Sequence, residues 1–445
     1  MPISSFYGLQ TSLRGLLAQQ RSLDVTGHNV ANASTQGYSR QEAVLSASDA
    51  MQLQAGAVQS GAGAHLGTGV DVQAYRRVRD GFLDLQYRAQ ATRLGEEAGV
   101  AQGLGNAELS LAEPSDDGIN TQLSNFWDAW SDFANAPEDS AARQALVEQG
   151  SALADSFGTV DKQLALVASQ AQEEYDTLTA PGGKVNQIAT EIGQLNDTIK
   201  RFVTGGDPPN DLMDRRDQLL DDLSTLGQVS VEDLGNGSMK VTFGGPGDTP
   251  LVDDTTVNFP PALSAPSGRL GALRDLAASP GGRIASLRAD LNTVAKTIAD
   301  AVNDVHDGDG TGPKFFNYTA GAEAGSLSVA VTASTVRATA TGLKGANDLA
   351  LAASRLRGGD GDEAYRAFVA RVGGEVSQAN RQEANAQALR DSVDDRRQSV
   401  AGVSLDEEMT GLIRFQRAYQ ASSRAMSTMD EMLDVLINRT GKVGL

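Results

Sequence analysis

Cysteine is absent from all 445 residues. That removes disulfides, iron–sulfur clusters, thiolate zinc sites and cysteine nucleophiles together. Histidine is nearly absent: His28, His65 and His306 stand far apart, and no HExxH or other close pair exists, which argues against a zinc enzyme. Aromatic residues make up only 5 %, and hydrophobic residues 40 %, so any core is thin. No run of 18 apolar residues occurs, so nothing is expected to span or insert into a membrane. The start, Met1-Pro2-Ile3-Ser4-Ser5-Phe6, lacks the basic region and continuous apolar stretch of a cleaved signal peptide. No Gly-rich phosphate loop ending in Lys-Ser or Lys-Thr is present. Basic residues are outnumbered, 37 Lys and Arg against 57 Asp and Glu, for a net charge of −20. Nucleic acid and anionic membranes attract basic surfaces, so neither is expected as a partner.

What the chain does have is heptad-like spacing at both ends. Phe6, Leu9, Leu13, Leu16, Gln20, Leu23, Gly27 and Val30 alternate at three and four residues, the seam spacing of a coiled coil. Leu405, Met409, Leu412, Phe415, Tyr419, Ser422, Met426, Met429, Leu433 and Leu436 follow a similar rhythm near the C-terminus. Gly402 should break this last helix from the one before it, and Ser404-Leu405-Asp406-Glu407 reads as a capping box that starts it. Further stripes run through Leu146–Val167, Val185–Phe202, Leu212–Leu226, Ile284–Val305 and Tyr365–Val376, and bundling buries them economically. Strand alternation is confined to Gln228–Gly244, with a Gly235-Asn236-Gly237 turn, and to Leu327–Val331.

The expected fold is mainly α with a small β insertion. Long terminal helices form a coiled-coil-like pair, beside an antiparallel helical bundle and a small β-rich outer domain. Residues 1–45 plus 402–445 make the helix-pair unit. Residues 46–226, 268–306 and 345–401 make the bundle, and 227–267 plus 307–344 the β-rich insertion. Stripes at the two ends fit two docked helices of a monomer. They better fit helices that order fully on other copies, because long terminal helices with thin seams are marginal alone.

Candidate chemistry dissolves on inspection. Asp307-Gly308-Asp309-Gly310-Thr311-Gly312 faintly matches a calcium loop, but Thr311 and Tyr318 stand where acids belong. Phe126, Trp127, Trp130 and Phe133 have the spacing of one helix face and read as core. Acid pairs such as Asp116-Asp117, Asp221-Asp222 and Asp394-Asp395 read as solvated faces. No catalytic constellation, metal site or cofactor site emerges.

The segment Ala31-Asn32-Ala33-Ser34-Thr35-Gln36-Gly37-Tyr38-Ser39-Arg40 resembles the N-terminal signature of bacterial flagellar rod, hook and hook-associated proteins, Ala-Asn-x-x-Thr-x-Gly-Tyr-x-Arg. At the other end Glu407–Asn438 is similar to that family's C-terminal helix, with Arg414-Phe415-Gln416-Arg417-Ala418-Tyr419-Gln420-Ala421 and Met429-Asp430-Glu431-Met432-Leu433. Gly67–Val72, Asn135–Leu146 and Asp211–Leu219 resemble the hook-associated members, and the helical middle is unlike the β-rich middle expected of hook and rod subunits.

The resemblance implies a structural protein with no catalysis. It implies export through the flagellar secretion channel without a cleaved signal, aided by an export chaperone, and extracellular ring assembly at the hook–filament junction. The implied partners are other copies, the hook protein and the second hook–filament junction protein. Seam positions and resemblance together place the assembly interface on Phe6, Leu9, Leu13, Leu16, Leu23, Val30, Leu412, Phe415, Tyr419, Met426, Leu433 and Leu436. Asn29, Asn32, Thr35, Gly37, Tyr38 and Arg40 form the signature turn, with Asn32 capping the helix in a left-handed conformation and Gly37 making the tight turn. Other axial flagellar proteins and a helical secreted enzyme are the rival readings.

Overall fold

A computed structural model describes residues 6–438 apart from 54–63, 112, 116–117, 207, 246, 262, 279, 308–309 and 311. The Asp116-Asp117 pair, residues 308, 309 and 311 of the 307–312 loop and the His65 side chain lie outside the described residues. The chain opens with α1 (Tyr7–Asn32) and then makes an antiparallel ribbon of β1 (Gln41–Ala47) with β4 (Val70–Arg77), bulged between Val44 and Leu45. Strands β2 (Met51–Leu53) and β3 (Ala64–Leu66) pair antiparallel within it. This ribbon packs on α1, so β1 runs past residue 45 and strands are not confined to the two stretches expected. Its burial alternates only weakly, which is why period-two patterning did not expose it.

The helical body follows as α2 (Gly81–Ser110), α3 (Ile119–Asn135), α4 (Ser140–Thr179), α5 (Lys184–Thr204) and α6 (Asn210–Leu226). A meander of β5 (Val229–Asp233), β6 (Met239–Phe243), β7 (Val252–Asp253) and β8 (Thr256–Val257) comes next, then α7 (Gly268–Ala277) and α8 (Arg283–Asp307). Short β9 (Phe316–Asn317), α9 (Glu323–Ser326) and β10 (Ser328–Val329) lead to α10 (Asp348–Ser354), the long α11 (Asp360–Ala401) and the final α12 (Leu405–Asn438). The expected fold class, mainly α with small β elements, is what forms.

Two cores result. The larger joins α2, α3, α4, α7, α8, α10 and α11, and at its centre Phe126, Trp130, Phe133, Phe315 and Phe316 are fully enclosed. The aromatic run of α3 is core, as its spacing required. The smaller core packs Val185, Ile188 and Ile192 of α5 and Leu219, Leu220 and Leu223 of α6 under Val241, Phe243 and Val252 of the sheet. Residues 227–267 and 307–344 therefore do not share one β-rich unit. The first segment covers α5 and α6, whereas Phe315, Phe316, Val331, Val336 and Ala338 of the second are buried in the bundle core. The meander loop is held by Arg216, 1 % exposed, which donates to Asn196 Oδ1 at 2.8 Å and to the Gly237 carbonyl at 2.8 Å.

The abundance of glycine has a local reason in α2. Gly95, Gly99 and Gly103 recur every four residues and lie against the end of α6 and α7. A Cβ on Gly95 would stand 2.0 Å from the Thr225 carbonyl oxygen, and one on Gly99 2.7 Å from Ala272 Cβ. Bare backbone on this face lets the helices approach closely.

Candidate functional site

Helices α1 and α12 lie side by side and antiparallel. A Cβ on Gly8 would meet Met429 Sδ at 2.6 Å, and one on Gly15 would meet Ser422 Oγ at 3.2 Å. The partner residue thus falls by seven as α1 advances by seven, the step that keeps two helices in contact. On α1 this seam is made of small and polar side chains. Its buried residues are Ala18, Ser22, Thr26 and Asn29, and Ser12 Oγ lies 3.8 Å from Met429 Sδ.

The leucine stripe of α1 consequently faces away from the fully buried positions. Phe6, Leu13 and Val30 are exposed, as is Leu17, while Leu9, Leu16 and Leu23 are partly covered. On α12 the heptad positions divide differently. Leu412, Phe415, Tyr419 and Met426 are half-buried and Leu433 is buried, on the side turned to α1. Leu436 is exposed, together with Met409, Ile413, Met432, Val435 and Ile437. The residues grouped as one outward interface therefore have two roles in the described chain: most of the α12 set closes the intrachain seam, and an apolar surface remains beside it.

The signature turn is a hydrogen-bonded anchor centred on Asn29, which is 1 % exposed. Its amide donates to the Gln41 carbonyl at 2.9 Å, and its Oδ1 accepts from the Gln41 N–H at 3.0 Å and the Tyr38 hydroxyl at 2.8 Å. Burial, then Asp211, Asp214 and Glu408, push the Tyr38 hydroxyl pKa upward, so it stays a donor at neutral pH. Thr35 Oγ1 donates to Asn32 Oδ1 at 3.2 Å, and Gly37 has φ of +78°. Asn32 is not left-handed. It ends α1 in ordinary helical geometry, its amide donating to the His28 carbonyl at 3.1 Å, and the reversal falls to Gly37 instead. Arg40 then ties the two chain ends together: its N–H donates to the Ala401 carbonyl at 2.8 Å and its guanidinium to Glu407 at 2.6 Å. Ser404 Oγ accepts from the Glu407 N–H at 3.5 Å, while the Glu407 carboxylate goes to Arg40 rather than closing the capping box.

Below the turn lies a buried ionic network that the sequence reading missed. Asp214, Asp217 and Asp221 share one face of α6. Ser39 donates to Asp214 through its N–H at 3.0 Å and its hydroxyl at 2.8 Å. Arg77, ending β4, reaches Asp214 at 2.8 Å and Asp217 at 2.7 Å. Arg79 bridges Asp217 at 2.9 Å and Asp84 at 2.7 Å, and Arg88 of α2 bridges Asp217 at 3.4 Å and Asp221 at 2.9 Å. Arg397 of α11 pairs with Asp221 and with Asp394 at 2.9 Å, and stacks on the Tyr87 ring at 3.8 Å. Burial pushes the Asp217 carboxyl upward, but Arg79, Arg77 and Arg88 together outweigh it and hold the group below the usual carboxylate range. Asp221 and Asp394 are thus paired rather than solvated. The 3-4 spacing of acids in Asp214-x-x-Asp217-x-x-x-Asp221 was the available signal.

This arrangement transmits position. The network and turn connect α1, the β1–β4 ribbon, α2, α6 and α11, and so fix the helix pair on the helical body. No group of metal-ligating side chains occurs among the described residues, and no described helix is long and apolar enough to cross a membrane.

Three family models match the chain in separate places. Residues 9–38 match the flagella basal body rod protein model, residues 397–439 the C-terminal model of flagellar basal body rod FlgEFG proteins, and residues 104–262 the helical domain of flagellar hook-associated protein FlgK. Paired terminal helices anchored to a helical body by the signature turn thus make this an axial structural protein of the bacterial flagellum. Flagellar hook-associated protein 1 of Bacillus subtilis is 32 % identical across 99 % of this chain and 99 % of its own length, and the chain belongs to that family. The hook-associated protein 1 of Escherichia coli is 28 % identical over 53 % of this chain and 41 % of the relative. The solved hook junction protein FlgK of Burkholderia pseudomallei has a TM-score of 0.44 at 21 % identity, covering 53 % of this chain and 47 % of that one.

Proposed function

We propose that the protein self-assembles as a ring at the hook–filament junction and links hook to filament mechanically, without catalysis. Its partners in this reading are other copies, hook subunits on one side and the second junction protein on the other. An export chaperone accompanies it to the flagellar secretion channel. The observation that carries the reading is the apolar surface left on the helix pair: Leu13 and Leu17 on α1, and Ile413, Met432, Val435, Leu436 and Ile437 on α12, all exposed. Within the chain α12 packs mainly on α1, so this surface is positioned for other subunits.

Deleting residues 406–445 tests it. The remainder should stay a soluble monomer with its bundle and meander intact, because neither core contains an α12 residue. It should no longer add to isolated hooks; addition at the level of the full chain would overturn the reading. Ile413→Asp with Val435→Asp should abolish addition at unchanged melting temperature. Leu412→Asp with Tyr419→Asp should in addition loosen the seam.

A further inference from the structure

Charge on the helix pair is sorted by sign. Between residues 409 and 429, α12 carries Arg414, Arg417 and Arg424 and no acid. Acids gather at its two ends: exposed Asp406, with Glu407 paired to Arg40 and Glu408 buried, at the start, and Asp430, Glu431 and Asp434 near the finish. Residues 8–23 of α1 hold Arg14 and Arg21, again with no acid, and the antiparallel seam sets this stretch beside the acid-free part of α12. Five arginines thus form a basic belt in a chain of net charge −20. Arg14 has a long contact to Asp71 at 3.7 Å, and Arg414 lies over its own Phe415 ring at 4.8 Å. Arg417, Arg424, Asp430 and Glu431 are exposed and have no ion-pair partner among the described residues.

We propose that this belt docks on the acidic ends of the helix pair in a second copy and so sets the axial stagger between neighbouring subunits, which makes the ring helical rather than flat. The proposal rests on the reading of the pair as the assembly element. The pattern along α12 is acid, base, acid, and belt and ends are separated by about 11–13 residues on each side, or about 17–20 Å at ~1.5 Å per residue. Two parallel copies in register set like charge on like. A shift of about 17–20 Å brings the belt of one copy beside the leading acids of the next, and the trailing acids of the first beside the belt of the second. One displacement satisfies both contacts because the spacings are nearly equal. Hydrophobic contact between the outer faces is indifferent to small slips; opposite charges at fixed spacing are not.

The test uses two charge-reversed forms of the full chain added to isolated hooks at low salt. Arg414→Glu, Arg417→Glu and Arg424→Glu together reverse the belt; Asp406→Lys, Asp430→Lys and Glu431→Lys together reverse the ends. Each form alone should be retained at least tenfold less than the unaltered chain. An equal mixture should return to within twofold, because reversed belt then meets reversed end in alternating copies. Unreduced retention of either form alone overturns the proposal while leaving ring assembly intact. So does a mixture that stays low, since the belt then faces something other than a second copy. If the unaltered chain itself fails to add to hooks, the assembly reading fails and the proposal falls with it. All six side chains are exposed, so both forms should melt within about 2 °C of the parent.

Discussion

Asp217→Asn removes one negative charge from the network under the signature turn while preserving its shape. Arg77, Arg79 and Arg88 all contact Asp217, so the substitution removes the charge that three buried guanidinium groups share. Removing one partner of a buried pair costs about 3–5 kcal/mol. The lower end applies, about 3 kcal/mol, because Arg77 keeps Asp214, Arg79 keeps Asp84 and Arg88 keeps Asp221. For a 445-residue chain unfolding as one unit, at about 2.1 cal/mol/K of unfolding entropy per residue, that corresponds to a melting temperature lower by roughly 3 °C in calorimetry at pH 7. Asp222→Asn, the same chemical change on an exposed neighbour, should shift melting by less than about 1 °C. The pH dependence is a second signature. The folded Asp217 carboxyl titrates below its unfolded value of about 3.9, so its contribution is complete above that pH and is lost as the pH falls through the lower folded value. The gap between parent and variant should therefore hold from pH 7 to about 4 and narrow below it. An Asp217→Asn protein that melts with the Asp222→Asn control would refute the idea that this network fixes the helix pair to the body.

Gly95→Ala should destabilise by about 2–3 kcal/mol, read in urea unfolding, because its Cβ would meet the Thr225 carbonyl, which is backbone and has no rotamer to yield. Gly8→Ala should cost well under half of that, because its Cβ meets only the end of the flexible Met429 side chain. His306 is fully buried, its Nδ1 2.7 Å from the Pro313 carbonyl and its Nε2 accepting from the Arg337 N–H at 2.9 Å, and burial, reinforced by the Arg337 cation, holds its pKa below the usual value. Its contribution is present above about pH 6.5 and lost as the pH falls toward the folded pKa, so the parent should lose melting temperature as the pH drops below about 6.5 and His306→Gln should flatten that slope.

The sequence disclosed what repeats and concealed what is paired across distance. Leu146, Leu153, Phe157, Val160 and Leu164 announced α4 by spacing, and all are buried, because one helix face on one core is a local rule. The Val229–Phe243 hairpin was legible for the same reason, since its turn and alternation lie within a few residues. By contrast β1 and β4 pair across a separation of some thirty residues, and Asp217 finds its arginines more than a hundred residues upstream, so neither leaves a local period. The heptads at the termini were the instructive case. Their spacing correctly marked two helices that pack together, but spacing cannot say which of several stripes meets the partner. On α1 glycine, serine and threonine take the seam because α12 comes too close for leucine, and Leu13 and Leu17 are left facing outward. A monomer that needed only its own stability would place Leu13 and Leu17 inward, where burying a leucine side chain yields about 1.5–3 kcal/mol. Leaving them on the surface forfeits that within the chain and makes it available on association. The arrangement is therefore the one that the proposed surface between subunits calls for, and not the one that stability of the single subunit would favour.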